Sequence, residues 1–224
     1  MLRAIIFDFD GVLANTEPLH CRAFAEVLGP LGVMPSEAEY FDAFVGLNDR
    51  ALLEAVFQRA GRAVDGSRLD GLQRQKDTAY FSLIAGGMTL SPGAADFIER
   101  AGRRWELGIC SGARRREIDT ILGAAGLGDV FAVIVTSDEV AESKPHPAGY
   151  RRAVRELAKF VSNLRPHETV AIEDSDHGVA AARACGMKTV RLAASPGGGR
   201  RVTADLVVPG ISAITDERLL SLFG

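Results

Sequence analysis

The chain has 224 residues, 47% of them hydrophobic, 25% charged and 7% aromatic, with a formal net charge of −3; that composition is too apolar for disorder and ordinary for a globular protein. At this length roughly 70% of the unfolded surface can be buried, so neither a disulfide nor a metal staple is needed, and one large domain or two small ones fit. Twenty-six basic residues against 29 acidic ones give no net drive toward nucleic acid or an anionic membrane.

In chain order, apolar and β-branched runs predict strands at Ala4–Phe9, Glu106–Cys110, Val130–Thr136, Thr169–Glu173, Lys188–Leu192 and Asp205–Val208. Most are apolar on both faces, the pattern of a parallel sheet covered by helices on each side. Helical periodicity lies between the later strands: after Ser91-Pro92-Gly93, with serine as N-cap and proline in the first turn, then about 114–125, 147–159 and 178–184. This alternation predicts an α/β fold, a doubly wound, Rossmann-like parallel sheet. The interval 16–86 has no convincing strand. Leu52, Leu53, Val56 and Phe57 follow helical spacing, and 73–84 reads as another helix. The expected organisation is therefore a core of 1–15 and 87–224 with an inserted helical domain of 16–86, hinged at Asn15–Thr16 and Gly86-Gly87. Gly197-Gly198-Gly199 reads as a loop, without the strand-to-helix context of a dinucleotide site.

The first apolar run is cut off by Asp8, unlike a signal peptide, and no stretch approaches the ~18–20 apolar residues of a membrane span. Cys21, Cys110 and Cys185 are odd in number and lack C-x-x-C spacing, which fits reduced thiols in a cytoplasmic protein.

The chemistry-bearing residues cluster at predicted strand ends. The first strand runs into Asp8-Phe9-Asp10-Gly11. Two aspartates two apart share one side of a strand and meet the crevice where open α/β sheets bind ligands. Adjacent carboxylates repel unless a cation or shared proton compensates; the alternative is a solvated turn capped by Asp10-Gly11. The fourth strand ends in Glu173-Asp174, either a helix cap or, with the first pair, an oxygen-rich cluster suited to Mg²⁺. Ser111-Gly112, after the second strand, is an ordinary cap or a hydroxyl and N–H set for phosphate oxygens. Lys144, followed by Pro145 and Pro147, is a solvated loop lysine or a fixed cation able to neutralise carboxylates and phosphate.

Taken in order, D-x-D-G, serine, lysine and acidic pair strongly resemble the four motifs of the haloacid dehalogenase-like superfamily, over essentially the whole chain. The nearest likeness is to its branch of phosphoglycolate phosphatases, β-phosphoglucomutase and sugar-bisphosphate phosphatases, whose small helical cap the inserted segment resembles. The resemblance implies a phosphatase in which Asp8 attacks phosphorus and forms an aspartyl phosphate while Asp10 serves as acid and then base. It places Mg²⁺ on Asp8, Asp174 and the Asp10 carbonyl, with Glu173 bound through water or orienting the site. It gives Ser111, Gly112 and Lys144 the transferring phosphoryl group. Asp10 speaks against an alkyl dehalogenase, which lacks that residue; a phosphosugar mutase is the alternative. A signalling receiver domain would be much shorter and has no such insertion.

Within the insertion, the same likeness brings Thr16 and His20 near the first motif and makes Arg50, in Val45-Gly46-Leu47-Asn48-Asp49-Arg50, and Lys76 candidates for reading a second anionic group. His20 as a helix-surface residue and Arg50 and Lys76 as solvated helix charges are the alternatives. Arg114, in Arg114-Arg115-Arg116, is a candidate for a distal phosphate or an exposed first-turn residue, and His177 reads as incidental. The expected partner is a small phosphorylated metabolite, with neither nucleic acid nor membrane, for a monomer or weak dimer.

Overall fold

The computed structural model describes all residues except 45, 46, 48, 86–89 and 194–201. The Gly86-Gly87 hinge, the 197–199 glycine loop and most of the Val45–Asn48 segment lie outside the described residues. The chain divides into two compact units, Met1–Asn15 with Thr89–Gly224, and Thr16–Met88.

The larger unit holds a six-stranded sheet in the order β3-β2-β1-β4-β5-β6. The strands are β1 (Ala4–Phe7), β2 (Glu106–Cys110), β3 (Val133–Val135), β4 (Thr169–Glu173), β5 (Lys188–Leu192) and β6 (Leu206–Val208). Every pairing is parallel. Helices α5 (Ala94–Gly102), α6 (Arg115–Ala124), α7 (Ala148–Leu157), α8 (Asp176–Cys185) and α9 (Asp216–Ser221) belong to the same unit. This is the doubly wound α/β architecture expected of fully buried, unbroken apolar strands: all four residues of β1 have no exposed surface. Ala4 and Ile6 join a cluster with Tyr150, Ala153 and Leu157 of α7 and Ala181 and Ala182 of α8. Phe7 meets Phe97 of α5 and Phe131 edge-on, each at 5.9 Å. Gly108 in β2 lets α7 approach; a Cβ there would lie 3.2 Å from Leu157 Cδ1.

Several element ends differ from the sequence reading, most by one to three residues, and those of β1, α5 and β3 have a clear local cause. β1 stops at Phe7, because the backbone then folds into a turn in which Phe9 O accepts from Leu13 N and Ala14 N, at 2.9 and 3.0 Å. Asp8 and Asp10 therefore sit in a loop, and strand alternation does not orient them. Helix α5 is capped by Gly93, φ +80°, rather than Ser91, whose carbonyl accepts from Ala94 N. β3 begins at Val133, after Val130, which is exposed.

The regular elements among the described residues of the smaller unit are all helices, α1 (Glu17–Leu28), α2 (Glu37–Ala43), α3 (Asp49–Arg59) and α4 (Gly66–Ala85), with a 3₁₀ turn at Gly29–Leu31. Its core gathers Phe24, Leu28, Tyr40, Leu52, Leu53, Val56, Phe57, Leu69 and Leu72. Ser36 and Glu39 form a reciprocal capping box at the start of α2. Helix α4 begins seven residues before the predicted 73–84 helix, because the Asp65 carboxylate accepts from Arg68 N at 2.8 Å. Among the described residues no helix is long and apolar enough to cross a membrane.

Candidate active site

Parallel pairing puts the carboxyl ends of β1, β2 and β4 side by side. Phe7 pairs with Ile109 on one side and Ile172 on the other, and Asp8 N donates to Ile172 O at 2.9 Å. The next residues along, Asp8, Cys110 and Glu173, thus meet at one edge, the position where open α/β sheets bind ligands. Asp8 is 7% exposed and Glu173 not at all.

Lys144, from the loop between β3 and α7, closes the group. Its Nζ donates to Asp8 Oδ1 at 2.6 Å, to Glu173 Oε1 at 2.6 Å and to Cys110 O at 2.9 Å. Its 19% exposed side chain replaces the solvated-loop alternative with a buried bridge between two carboxylates. Burial disfavours the ammonium, but Asp8 and Glu173 outweigh it and hold the Lys144 pKa well above its usual value. Burial pushes the Asp8 carboxyl well above the ordinary range; Lys144 pulls it back, while Glu173, Asp174 and Asp10 push it further.

Glu173 is fixed from several directions. Tyr150 OH donates to Oε1 at 2.6 Å and Ser175 Oγ to Oε2 at 3.2 Å. The same Ser175 oxygen caps α8 by accepting from Gly178 N at 3.0 Å. Burial, reinforced by Glu173, holds the Tyr150 phenol well above its ordinary pKa, so it remains a donor. Burial likewise pushes the Cys110 thiol up to about 12.

Asp8, Glu173 and Asp174 each offer an oxygen within 4.8 Å of the others. Three hard carboxylate donors beside a single lysine leave a net negative cluster, and that donor set fits a hard divalent cation. Asp10 is half-buried in the turn closed by Gly11, φ +74°, whose N–H donates to Ala14 O at 2.8 Å. Ser111 is buried. Its N–H donates to Val135 O at 3.0 Å and its hydroxyl accepts from Ala113 N at 3.1 Å. Gly112 is exposed with open space where a Cβ would stand. Arg114 is the exposed cap residue before α6, and His177 is exposed on α8.

The helical unit carries a second polar cluster. Lys76 is 2% exposed, so it is no solvated helix charge. Its Nζ reaches His20 Nδ1 at 2.8 Å and the Asp49 carboxylate at 3.0 and 3.1 Å. The rings of Phe24 and Tyr80 lie 5.1 and 4.7 Å from it, and His20 stacks on Tyr80 at 4.1 Å. Arg50 is half-exposed and pairs with Asp70 at 2.8 Å and Glu54 at 3.3 Å. Thr16, 1% exposed, is the residue immediately before α1 and accepts through its carbonyl from Leu19 N and His20 N at 2.9 and 3.0 Å.

Sequence reasoning missed Tyr150, Ser175, Gly178 and Asp49. For Lys76 a signal existed: Leu69, Leu72, Lys76, Tyr80 and Ile84 follow one helical stripe, so the lysine interrupts an apolar face.

The sequence profile described as Haloacid dehalogenase-like hydrolase matches residues 5–192. The chain belongs to that family. It is 32% identical to Protein CbbY of Rhodobacter capsulatus over 99% of both chains. It is 28% identical to the fructose-1-phosphate phosphatase YqaB of Escherichia coli, over 83% of this chain and 94% of that one. The crystal structure of CbbY from Rhodobacter sphaeroides in complex with phosphate superposes with a TM-score of 0.80 at 31% identity, covering 95% of this chain and 96% of that one. The crystal structure of a β-phosphoglucomutase from Clostridium difficile shares the fold, with a TM-score of 0.82 at 21% identity over 100% of this chain and 97% of that one.

Proposed function

We propose that this hydrolase is a Mg²⁺-dependent phosphatase of a small phosphorylated metabolite, a sugar phosphate or bisphosphate, working through an aspartyl phosphate on Asp8. The observation that carries the reading is the buried Asp8 carboxylate held against Lys144 at 2.6 Å, beside the Glu173-Asp174 pair.

Asp8 attacks phosphorus in line, the ester P–O bond breaks, and Asp10 gives its proton to the departing oxygen. Asp10 then takes a proton from water, which attacks the aspartyl phosphate and releases inorganic phosphate with Asp8 restored. Lys144, the Ser111 hydroxyl and the Gly112 N–H offset charge on the phosphoryl oxygens. Asp8 and Asp174 side chains and the Asp10 carbonyl would hold Mg²⁺, with Glu173 beside them. The cation, when bound, neutralises phosphoryl charge and keeps Asp8 ionised.

Residues 1–15 and 87–224 form the catalytic core in this reading, and 16–86 select the substrate through Thr16, His20, Arg50 and Lys76, with Arg114 as a further anion-binding candidate. The substrate class rests on the relatives: a fructose-1-phosphate phosphatase, and a CbbY variant crystallised with xylulose-1,5-bisphosphate at TM-score 0.79 and 29% identity. A panel of phosphorylated metabolites assayed for phosphate release, with Mg²⁺ and with EDTA, tests it. Release from a sugar phosphate that EDTA abolishes is the expected result. No release, or release indifferent to EDTA, refutes it, and isomerisation without release would mean a mutase.

A further inference from the structure

Glu173 belongs to the acidic cluster, yet its oxygens are already engaged by the protein. Oε1 accepts from both Lys144 Nζ and Tyr150 OH, each at 2.6 Å, and Oε2 accepts from Ser175 Oγ at 3.2 Å. Lys144 is equally committed, its three N–H bonds matched by Asp8, Glu173 and the Cys110 carbonyl. An ammonium has no fourth proton, so a phosphoryl oxygen can gain a hydrogen bond from Lys144 only if an existing partner yields. Asp8 is the partner whose oxygen the reaction consumes. Glu173 and Cys110 O then remain as the anchors that keep Nζ in place, and Glu173 is held in turn by Tyr150. The Tyr150 ring is fully buried, and Lys144 Nζ lies 5.1 Å from its centroid.

We propose that Tyr150 is a positioning residue whose hydroxyl pins Glu173 as the counter-ion of Lys144, fixing the ammonium that serves the phosphoryl group. The inference rests on the phosphatase reading for its kinetic consequence and on geometry alone for the position of Lys144. In it, Glu173 sets the lysine and leaves ligation of the cation to its neighbours.

Tyr150→Phe removes only the oxygen and keeps the packed ring. Three measurements follow. ¹⁵N NMR of the lysine ammonium groups, with the Lys144 signal identified by its loss in Lys144→Met, should show that signal shifted and exchanging faster in Y150F, while the buried Lys76 signal stays in place. The kcat should fall about 10-fold, as for the loss of one hydrogen bond to a charged group, with KM within about twofold. Calorimetric titration should give a Mg²⁺ affinity within about twofold of wild type.

An unmoved Lys144 signal overturns the proposal, and so does a kcat within twofold of wild type. Mg²⁺ affinity falling in step with kcat also overturns it, since the pin would then serve the metal. If wild type hydrolyses no phosphate ester while the Lys144 signal still moves, the phosphatase reading has failed and the pin has not. Glu173→Gln, which keeps an oxygen for Tyr150 but no charge, decides the NMR arm if Y150F does not fold: its Lys144 signal must shift in the same sense, and an unchanged signal rejects the pin.

Discussion

Replacing Gly178 with alanine adds one methyl group where the structure has no room. A Cβ at this position would stand 1.9 Å from Glu173 Cδ and 2.0 Å from each carboxylate oxygen, whereas ordinary contact begins near 3.4 Å. Either the carboxylate or the first turn of α8 must therefore retreat by about 1.5 Å. Glu173 cannot retreat alone without stretching its bonds to Lys144, Tyr150 and Ser175. Helix α8 cannot retreat without breaking the Ser175–Gly178 cap. Overpacking of this kind costs about 1–3 kcal/mol, and a chain of this size loses about 2–4 °C per kcal/mol. Gly178→Ala should accordingly melt about 2–12 °C below wild type by differential scanning calorimetry. A displacement above 1 Å in a group that positions Lys144 costs about 100-fold in turnover, read as kcat on p-nitrophenyl phosphate. Gly123→Ala is the control: it lies in α6 with nothing within 4 Å of the new methyl. It should gain up to about 1 kcal/mol of helix stability. Gly178→Ala melting within 1 °C of wild type at full activity would refute the steric argument.

Asp8→Asn should lower kcat at least about 1,000-fold with an unchanged circular dichroism spectrum, because the amide is nearly isosteric but not nucleophilic; retention of most of the rate removes Asp8 from the nucleophile role. Adding Mg²⁺ at about 100 times its dissociation constant to EDTA-treated protein should stabilise it by about 2.7 kcal/mol, a rise of about 5–11 °C in Tm; identical melts with and without Mg²⁺ would argue against a cation site at Asp8 and Asp174. Lys76→Met and Arg50→Ala should each raise KM for the physiological substrate about 10-fold while leaving p-nitrophenyl phosphate hydrolysis within about threefold; equal losses on both substrates would mean that these cations do not read the substrate.

What the sequence made legible, and what it hid, divides along the range of the forces involved. β2, β4 and β5 match their predicted bounds residue for residue: β2 and β4 carry buried apolar or small residues through their centres, and β5 carries the β-branched pair Thr189-Val190 followed, after Arg191, by Leu192. β1 is two residues shorter than predicted, since Phe9 is as apolar as Phe7 and only the hydrogen bonds of the following turn show that the strand has ended. Helix α4 was half visible: Gly66 and Gly71 weaken the local helical signal, and the Asp65 cap and the burial of Leu69 and Leu72 override it.

The same division holds at the site. Asp8, Ser111, Lys144, Glu173 and Asp174 stand out because each sits at a predicted strand end or in the loop that follows one, and a parallel sheet brings such ends together whatever loops intervene. Tyr150 stands instead among the buried residues of α7, where an aromatic side chain reads as core. Its ring is core; its hydroxyl is not, because a buried donor must find an acceptor, and Glu173 of β4 supplies one. Asp49 and Lys76 repeat the case 27 residues apart, as two ordinary helix charges in sequence that form a shielded pair in the fold. Such partnerships arise from desolvation, which a linear chain does not display: a charge deep in the protein persists only if another group meets it there. Lys76 on an apolar helical stripe thus implies, from its spacing alone, an anion elsewhere in the chain, and the same reasoning applies to Lys144, whose fixed position requires both carboxylates it bridges.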